Sequence, residues 1–193
     1  MRTNTLGTAG LRMLRALIGK TAKQIVWDYN AVYVVLAEET VKIETSIALA
    51  VSPFTHAKED IFPLRVSLDR EHLAFKEEGE PGFGYWVVAV DEPITKIEIV
   101  RLALRFPEGP GHWEEVVPSS VDADAKNVEL IDAGVFVHTP VGVLPAIPVS
   151  WFGFGFRYES APGSGPSVSL VDPPEAAAML PAEFELVPLP NEA

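Results

Sequence analysis

Apolar and polar residues alternate along the stretch TVKIETSIALAV, residues 40–51. The residues at odd positions are mostly apolar: Val41, Ile43, Thr45, Ile47, Leu49 and Val51. Because successive side chains of a strand point to opposite faces, this pattern predicts one half-buried antiparallel strand over residues 41–51. A similar apolar row at residues 32–36 predicts the preceding strand, and residues 37–40 have the composition of a hairpin connection.

The alternation changes phase within residues 94–106. Ile97 and Ile99 are apolar at odd positions, whereas the apolar residues that follow stand at even positions: Val100, Leu102, Leu104 and Phe106. A slip of one residue moves every later side chain to the opposite face of a sheet. A continuous strand with this sequence is therefore predicted to contain a β-bulge near Ile99 and Val100.

The N-terminal segment has helical spacing instead. One face of a helix would carry Leu11, Leu14, Leu17 and Ile18, and Gly19 follows at a position suited to the left-handed conformation. We therefore expect an amphipathic helix that packs on the strands and ends at Gly19. Residues 1–23 also hold five basic and no acidic residues, so a mitochondrial-type targeting segment is the alternative interpretation.

Two parts of the chain share a similar pattern. Asp132-Ala133-Gly134 has turn composition, and it divides residues 126–143 into a predicted second hairpin. Aligning Val41 with Val135 places apolar residues opposite apolar residues along the second strand of each hairpin, with Thr45 opposite Thr139. One interpretation is an internal duplication with related halves at 20–90 and 91–160. The other is that any two amphipathic strands align at a period of two.

Together these patterns predict a mostly β protein of the α+β class. The N-terminal amphipathic helix packs on antiparallel strands, which form a sandwich or a barrel-like sheet. We expect a single compact domain over residues 1–193, since a chain of this length can bury roughly 70% of its unfolded surface. The Pro-rich tail, residues 161–193, is expected to wrap the surface, with short strands over 167–171 and 184–187.

Charge narrows the range of partners. The chain has 27 acidic and 15 basic residues, for a formal net charge of −12. Such a field repels a phosphate backbone, so we expect no nucleic acid partner. No run of 18 apolar residues occurs, and we expect no membrane partner. The absence of Cys excludes disulfides and thiolate zinc sites, and a cytoplasmic location is the simplest expectation.

The segment PEGPGHWEEVVPSSVDADA, residues 107–125, is rich in Pro, Gly and acidic residues and predicts a long loop. Our candidate partner-binding residues come from this segment: His112, Trp113, Glu114, Glu115, Asp122 and Asp124. An exposed Trp flanked by carboxylates suits a cationic protein surface. Alternatively, Trp113 folds back and pins its own loop to the sheet.

The sequence contains no common motif for catalysis or for cofactor binding. The four histidines lack metal-ligand spacing, and Asp122-x-Asp124 lacks the Gly and distal Glu of a calcium loop. The Gly-Ser stretch at 161–167 lacks the strand-to-helix setting of a nucleophile elbow, and no glycine-rich phosphate motif occurs. We therefore expect no metal, no cofactor and no motif-based catalytic residue.

Three functional hypotheses follow. The first is a non-enzymatic acidic binding module, an adaptor or an immunity-like inhibitor of a basic protein. The second is a hydrolase or small-ligand-binding domain whose site lies between the two halves and uses dispersed carboxylates with His112 or His138. The third is a subunit of a larger assembly with an exposed apolar strand near residues 143–156. The oligomeric state stays open.

Overall fold

The computed structural model describes residues 2–27, 31–56, 58–69, 86–109, 111–146, 148–150, 153–156 and 170–190. Strands dominate this part of the chain, together with two α-helices and one short 3-10 helix. In chain order the elements are β1 (Arg2–Asn4), α1 (Thr8–Leu17), β2 (Thr21–Trp27), β3 (Ala31–Val35), β4 (Thr40–Thr45), β5 (Ala48–Val51), β6 (Lys58–Ile61), β7 (Leu64–Asp69), β8 (Trp86–Pro93), β9 (Lys96–Arg105), β10 (Glu114–Val116), the 3-10 helix (Pro118–Ser120), β11 (Val128–Thr139), β12 (Gly142–Ala146), β13 (Pro148–Ser150), β14 (Gly153–Phe156), α2 (Pro173–Ala178) and β15 (Glu185–Pro188).

The strands of the described residues form two larger sheets and two ribbons. The six-stranded sheet has the order β1-β11-β9-β10, and β12 pairs with β11 while β15 pairs with β9. The five-stranded sheet has the order β7-β4-β3-β2-β8 and is antiparallel throughout. The ribbons are β5–β6 and β13–β14. Of these pairs only β1–β11 is parallel, so the prediction of a mostly β, antiparallel protein with an N-terminal helix is confirmed.

One hydrophobic core joins both sheets and α1. The five-stranded sheet contributes Ile25, Val32, Val34, Val41 and Ile43, and the six-stranded sheet contributes Ile97, Ile99, Val135, Val137 and Leu144. Each fully buried aliphatic side chain contributes about 1.5–3 kcal/mol relative to an exposed one. Strand β3 and strand β4, which correspond to the apolar row at 32–36 and to the first part of the row at 41–51, contribute to this stabilisation because their apolar faces lie in this core.

Helix α1 packs on the core as its spacing predicts. Leu14 and Leu17 are buried, and Leu11 is partly buried against the same cluster. Ile18 was expected on this face but is 42% exposed, because the helix ends at Leu17 and Ile18 already has an extended backbone. Gly19 has a φ of 85°, as predicted, and its N–H donates to the carbonyl of Ile94 at 2.8 Å.

The predicted single strand over residues 41–51 is two strands in the structure. Strand β4 ends at Thr45, and the N–H of Ser46 donates to the carbonyl of Pro63 at 2.9 Å. After this break the buried parity reverses, so that Ala50 is buried while Leu49 is exposed. The apolar face predicted for the second part of this stretch is therefore wrong, because β5 leaves the five-stranded sheet and pairs with β6.

The predicted hairpin turn at Asp132-Ala133-Gly134 is also wrong. Strand β11 is continuous from Val128 to Thr139, and its register with β9 shifts between Asp132 and Gly134. The predicted bulge therefore lies in the partner strand, opposite residues 100 and 101. Strand β9 changes phase because both of its faces are covered by apolar clusters, a different one at each end. The turn that the duplication hypothesis requires before its second copy is absent.

The C-terminal segment is only partly as predicted. The strand predicted over 184–187 is confirmed by β15, but α2 was not expected from the Pro-rich composition. Most of the strand predicted over 167–171 lies outside the described residues, and Val171 forms an isolated bridge with Val143. Helix α1 has 10 residues and α2 has 6, so neither α-helix of the described residues approaches the roughly 20 residues that span a bilayer.

Candidate interaction surface

Strands β10 and β15 lie end to end along one edge of β9. The opposite edge of β9 is occupied by β11, while β10 pairs with residues 103–105 and β15 with residues 98–101. Both run antiparallel to β9, so the end of β10 at Val116 meets the start of β15 at Glu185. The N–H of Ser119 donates to Oε2 of Glu185 at 2.9 Å, which joins the two segments.

Acidic side chains concentrate at this junction. Residues 107–125 and 183–185, which we call the acidic edge, contain seven Asp or Glu residues and neither Lys nor Arg. Four of the candidates from the sequence are exposed here: His112, Glu114, Asp122 and Asp124. The predicted irregular loop is partly ordered by β10 and the 3-10 helix, so these charges are carried on structure that is fixed to the sheet.

Trp113 precedes β10 and is partly buried. Its side chain packs against a second hydrophobic cluster that includes Leu104, Phe106 and Ile131. This packing agrees with the interpretation in which the ring pins its segment to the sheet. Trp113 is only half-buried, and its role in partner binding remains a prediction.

Glu115 is the candidate residue with the most perturbed environment. Its side chain is half-buried, and Oε1 has no hydrogen-bond partner within the part of the chain that the structure describes. Burial raises the pKa of the Glu115 carboxyl above its ordinary value of 4.5, and the negative charge of Glu183 raises the pKa further. The structure therefore places Glu115 close enough to Glu183 for their charges to interact, and Glu183 belongs to the C-terminal segment, which the sequence did not nominate.

Three acidic residues of this region were missed by the sequence analysis. Glu183 and Glu185 belong to the C-terminal segment, and only the fold brings them beside β10. Glu129 is 3% exposed and pairs with Leu104 of β9. On its other side, Leu104 pairs with Glu115 of β10. Paired positions of neighbouring strands face the same side of a sheet, so Glu129 and Glu115 lie on one face with Leu104 between them.

Two arginines of β9 border the acidic edge. Arg105 lies opposite Glu114 in the strand register, whereas Arg101 is directed at another part of the fold. Nε of Arg101 donates to Oδ1 of Asp132 at 2.7 Å, and Oδ2 of Asp132 accepts from the N–H of Leu6 at 2.8 Å. Asp132 is 1% exposed, so this pair is a buried link between β9, β11 and the segment before α1. The negative charge of the acidic edge is therefore not neutralised by Arg101.

Two other groups of polar residues lie away from the acidic edge. His138, named in the second functional hypothesis, is half-buried, and its Nε2 lies 2.8 Å from Oε2 of Glu98, whose Oε1 contacts Lys96 at 2.6 Å. An open groove of about 600 Å³ lies beside Lys20, Lys23, Leu36 and Glu39, where Lys20 and Lys23 form ion pairs with Glu39 and Asp91. Among the described residues, no group of three or more potential ligands could hold a metal ion.

A scan against protein-family models, a search of curated proteins and a search of solved structures each returned no match to this chain.

Proposed function

We propose that this protein is a non-enzymatic binding module, an adaptor or an immunity-like inhibitor, whose acidic edge engages a basic protein. The observation that carries the proposal is the end-to-end placement of β10 and β15 on β9, which joins the acidic residues of two distant segments. Complementary charge raises the rate of encounter and selects the partner, so a surface with an excess of acidic residues favours a partner rich in Lys and Arg.

The arrangement of the side chains suits binding more than catalysis. Glu114, Asp122 and Asp124 are exposed, so their carboxylates stay hydrated in the free protein and pay no desolvation cost there. Their charges are also accessible to a partner. The partly accessible ring of Trp113 offers an apolar contact among them. An aromatic residue among complementary charges is a typical centre of a protein interface.

The test is capture of partners from a native lysate at low and at moderate salt, followed by mass spectrometry and by titration of the purified partner. We expect a basic protein whose affinity falls steeply as salt screens the acidic edge. Neutralisation of three exposed charges, Glu114→Gln with Asp122→Asn and Asp124→Asn, should weaken binding by roughly tenfold or more.

A matched control removes three exposed charges elsewhere: Glu38→Gln, Asp172→Asn and Glu175→Gln. The control variant has the same net charge as the test variant. Equal weakening by both would show that the partner responds to net charge rather than to the acidic edge. Affinity that does not change with salt would contradict the proposal.

The second candidate function is a hydrolase or a small-ligand-binding domain. One observation favours it: Glu98 holds the ring of His138 by a bond of 2.8 Å, and a carboxylate that orients a histidine is part of many general-base sites. The test is a thermal-shift screen with metabolites and model esters. Stabilisation that is lost in His138→Gln, with no partner in the pull-down, would favour this function.

The proposal also includes the cellular location of the protein and the arrangement of its two larger sheets. A cytoplasmic location agrees with the absence of Cys, since a protein without disulfides needs no oxidising compartment. A two-layered, sandwich-like arrangement is supported by the main core, which draws side chains from both larger sheets.

A further inference from the structure

The outer face of the β5–β6 ribbon exposes large apolar side chains. Ile47 is 58% exposed, Leu49 is 56% exposed, and Phe54 in the turn after β5 is 44% exposed. The inner face of the same ribbon is closed, because Ala48, Ala50 and Ile61 pack on the second cluster. The ribbon is therefore packed on the rest of the protein, and its outer apolar residues are exposed even so. Contiguous exposed apolar residues commonly mark an interaction surface.

The neighbouring strand carries a row of opposite charges on the same outer face. Leu49 pairs with Asp60, and Val51 pairs with Lys58, so each apolar residue of β5 lies beside one charged residue of β6. Lys58 and Asp60 are both exposed. They stand two positions apart, roughly 7 Å along the strand, and point the same way.

This arrangement is complementary to itself under a two-fold rotation. The two-fold axis lies parallel to the outer face of the ribbon and perpendicular to the strands, midway between the two cross-strand pairs. Rotation about it places Leu49 of one copy against Val51 of the other, and Lys58 against Asp60, with each contact made twice. Such reciprocal contacts define an isologous dimer interface.

We propose that the outer face of the β5–β6 ribbon is a homodimer interface, and that its occupant is a second copy of this chain. The apolar row forms the centre of the contact, and two Lys58–Asp60 ion pairs form its rim. Ile47 and Phe54 stand at opposite ends of the row, so the rotation brings them toward one another across the interface.

The size and charge of the surface set the strength of the dimer. A ribbon with four residues per strand offers less than the roughly 1,600 Å² of a standard interface, so we expect a weak dimer that dissociates on dilution. Each copy carries a net charge of −12, and this long-range repulsion weakens as salt rises. Dimerisation should therefore strengthen with salt, in contrast to binding of a basic partner at the acidic edge.

The first experiment measures molar mass by analytical ultracentrifugation from about 1 μM to about 1 mM at low and at moderate salt. Leu49→Lys should raise the dissociation constant by about tenfold or more, because it places a charge at the centre of the contact. The matched control is Val141→Lys, because Val141 is 58% exposed in the turn between β11 and β12. That variant should dimerise like the unmodified protein.

A charge exchange tests the register of the proposed contact. Lys58→Asp or Asp60→Lys alone places like charges opposite each other and should weaken the dimer by about fivefold. The double exchange, Lys58→Asp with Asp60→Lys, should restore it to near the original strength. Circular dichroism and the melting temperature confirm that each variant is folded.

Several outcomes would overturn the proposal: a monomer up to about 1 mM, a dimer unaffected by Leu49→Lys, or a double exchange that does not restore association. A monomer in which Leu49→Lys abolishes capture of another protein would assign this face to that partner instead. None of these results bears on the acidic edge, since the pull-down tests that surface with its own variants.

Discussion

At the residue scale, Trp113 is part of the acidic edge and is also packed against the second hydrophobic cluster. Its packing on the cluster around Leu104 and Phe106 leads us to expect that Trp113→Ala lowers the free energy of unfolding by about 2 kcal/mol. Full burial would cost about 3–5 kcal/mol, and this ring is only partly buried. Denaturant unfolding measures the change, and Trp113→Phe, which keeps an aromatic ring, should retain most of the stability. An unchanged midpoint for the Ala variant would show that the ring does not pin its segment.

Glu115 gives a prediction for the dependence of stability on pH. Burial and Glu183 raise the pKa of this carboxyl in the folded protein, while the unfolded chain keeps the ordinary value of 4.5. A group with a raised folded pKa stabilises the fold below pH 4.5, and this contribution is lost as pH rises through the folded pKa. The ionised carboxylate is therefore unfavourable at pH 7, and Glu115→Gln should raise the melting temperature there by about 1–3 °C.

The control for Glu115 is its neighbour, because Glu114 is exposed. Glu114→Gln should change the melting temperature by less than about 1 °C at pH 7. The advantage of Glu115→Gln should also disappear near pH 4, where the native carboxyl is protonated in both the folded and the unfolded chain. A melting temperature that falls at pH 7 would mean that the carboxylate has a favourable partner.

The sequence revealed only the contiguous part of the candidate surface. Residues 112–115 could be nominated because an aromatic residue and acidic residues stand together in the chain. Glu183 and Glu185 could not, because strand pairing with β9 brings them beside β10 and no sequence spacing encodes that pairing. The part of the Glu115 pKa rise that is due to Glu183 depends on the same pairing.

At the element scale, the bulge in β11 fixes a buried link between three elements. Asp132 precedes the extra residue Ala133, and its carboxylate accepts from Arg101 and from the N–H of Leu6. Removing one partner of a buried pair leaves the others without compensation, so Asp132→Ala should cost about 3 kcal/mol of unfolding free energy. Asp122→Ala, at an exposed position of the acidic edge, should stay within about 0.5 kcal/mol. Equal small losses in chemical denaturation would contradict the structural role of this link.

The period of the apolar pattern predicted the existence of elements better than it predicted their ends. It identified β3, β4, β9 and α1, whose buried faces are set by local alternation. It missed the break at Ser46, because that residue is held by Pro63, 17 residues away. It placed a turn at Asp132-Ala133-Gly134 because Asp and Gly favour turns and bulges alike, and only the paired strand decides between them.

At the scale of the whole molecule, one core joins the segments that the sequence proposed as two halves. Ile25 and Val34 come from residues 20–90, whereas Ile97 and Val135 come from residues 91–160, and all four are buried in the same cluster. If one segment unfolded, the buried side chains of the other segment would lose their packing partners and become exposed. The hypothesis of a single domain therefore predicts one cooperative unfolding transition.

The test follows denaturant unfolding by Trp fluorescence and by far-ultraviolet circular dichroism at a low protein concentration. Both probes should give the same midpoint. Val34→Ala and Val135→Ala each remove methyl groups from fully buried positions, one in each proposed half. Each should lower the free energy of unfolding by about 1–2 kcal/mol and shift the shared midpoint to a lower denaturant concentration. Two transitions, each shifted by only one of the variants, would instead show that the halves unfold independently. That result would contradict the single-domain hypothesis. It would also mean that each half is stabilised by apolar contacts of its own rather than by the shared core.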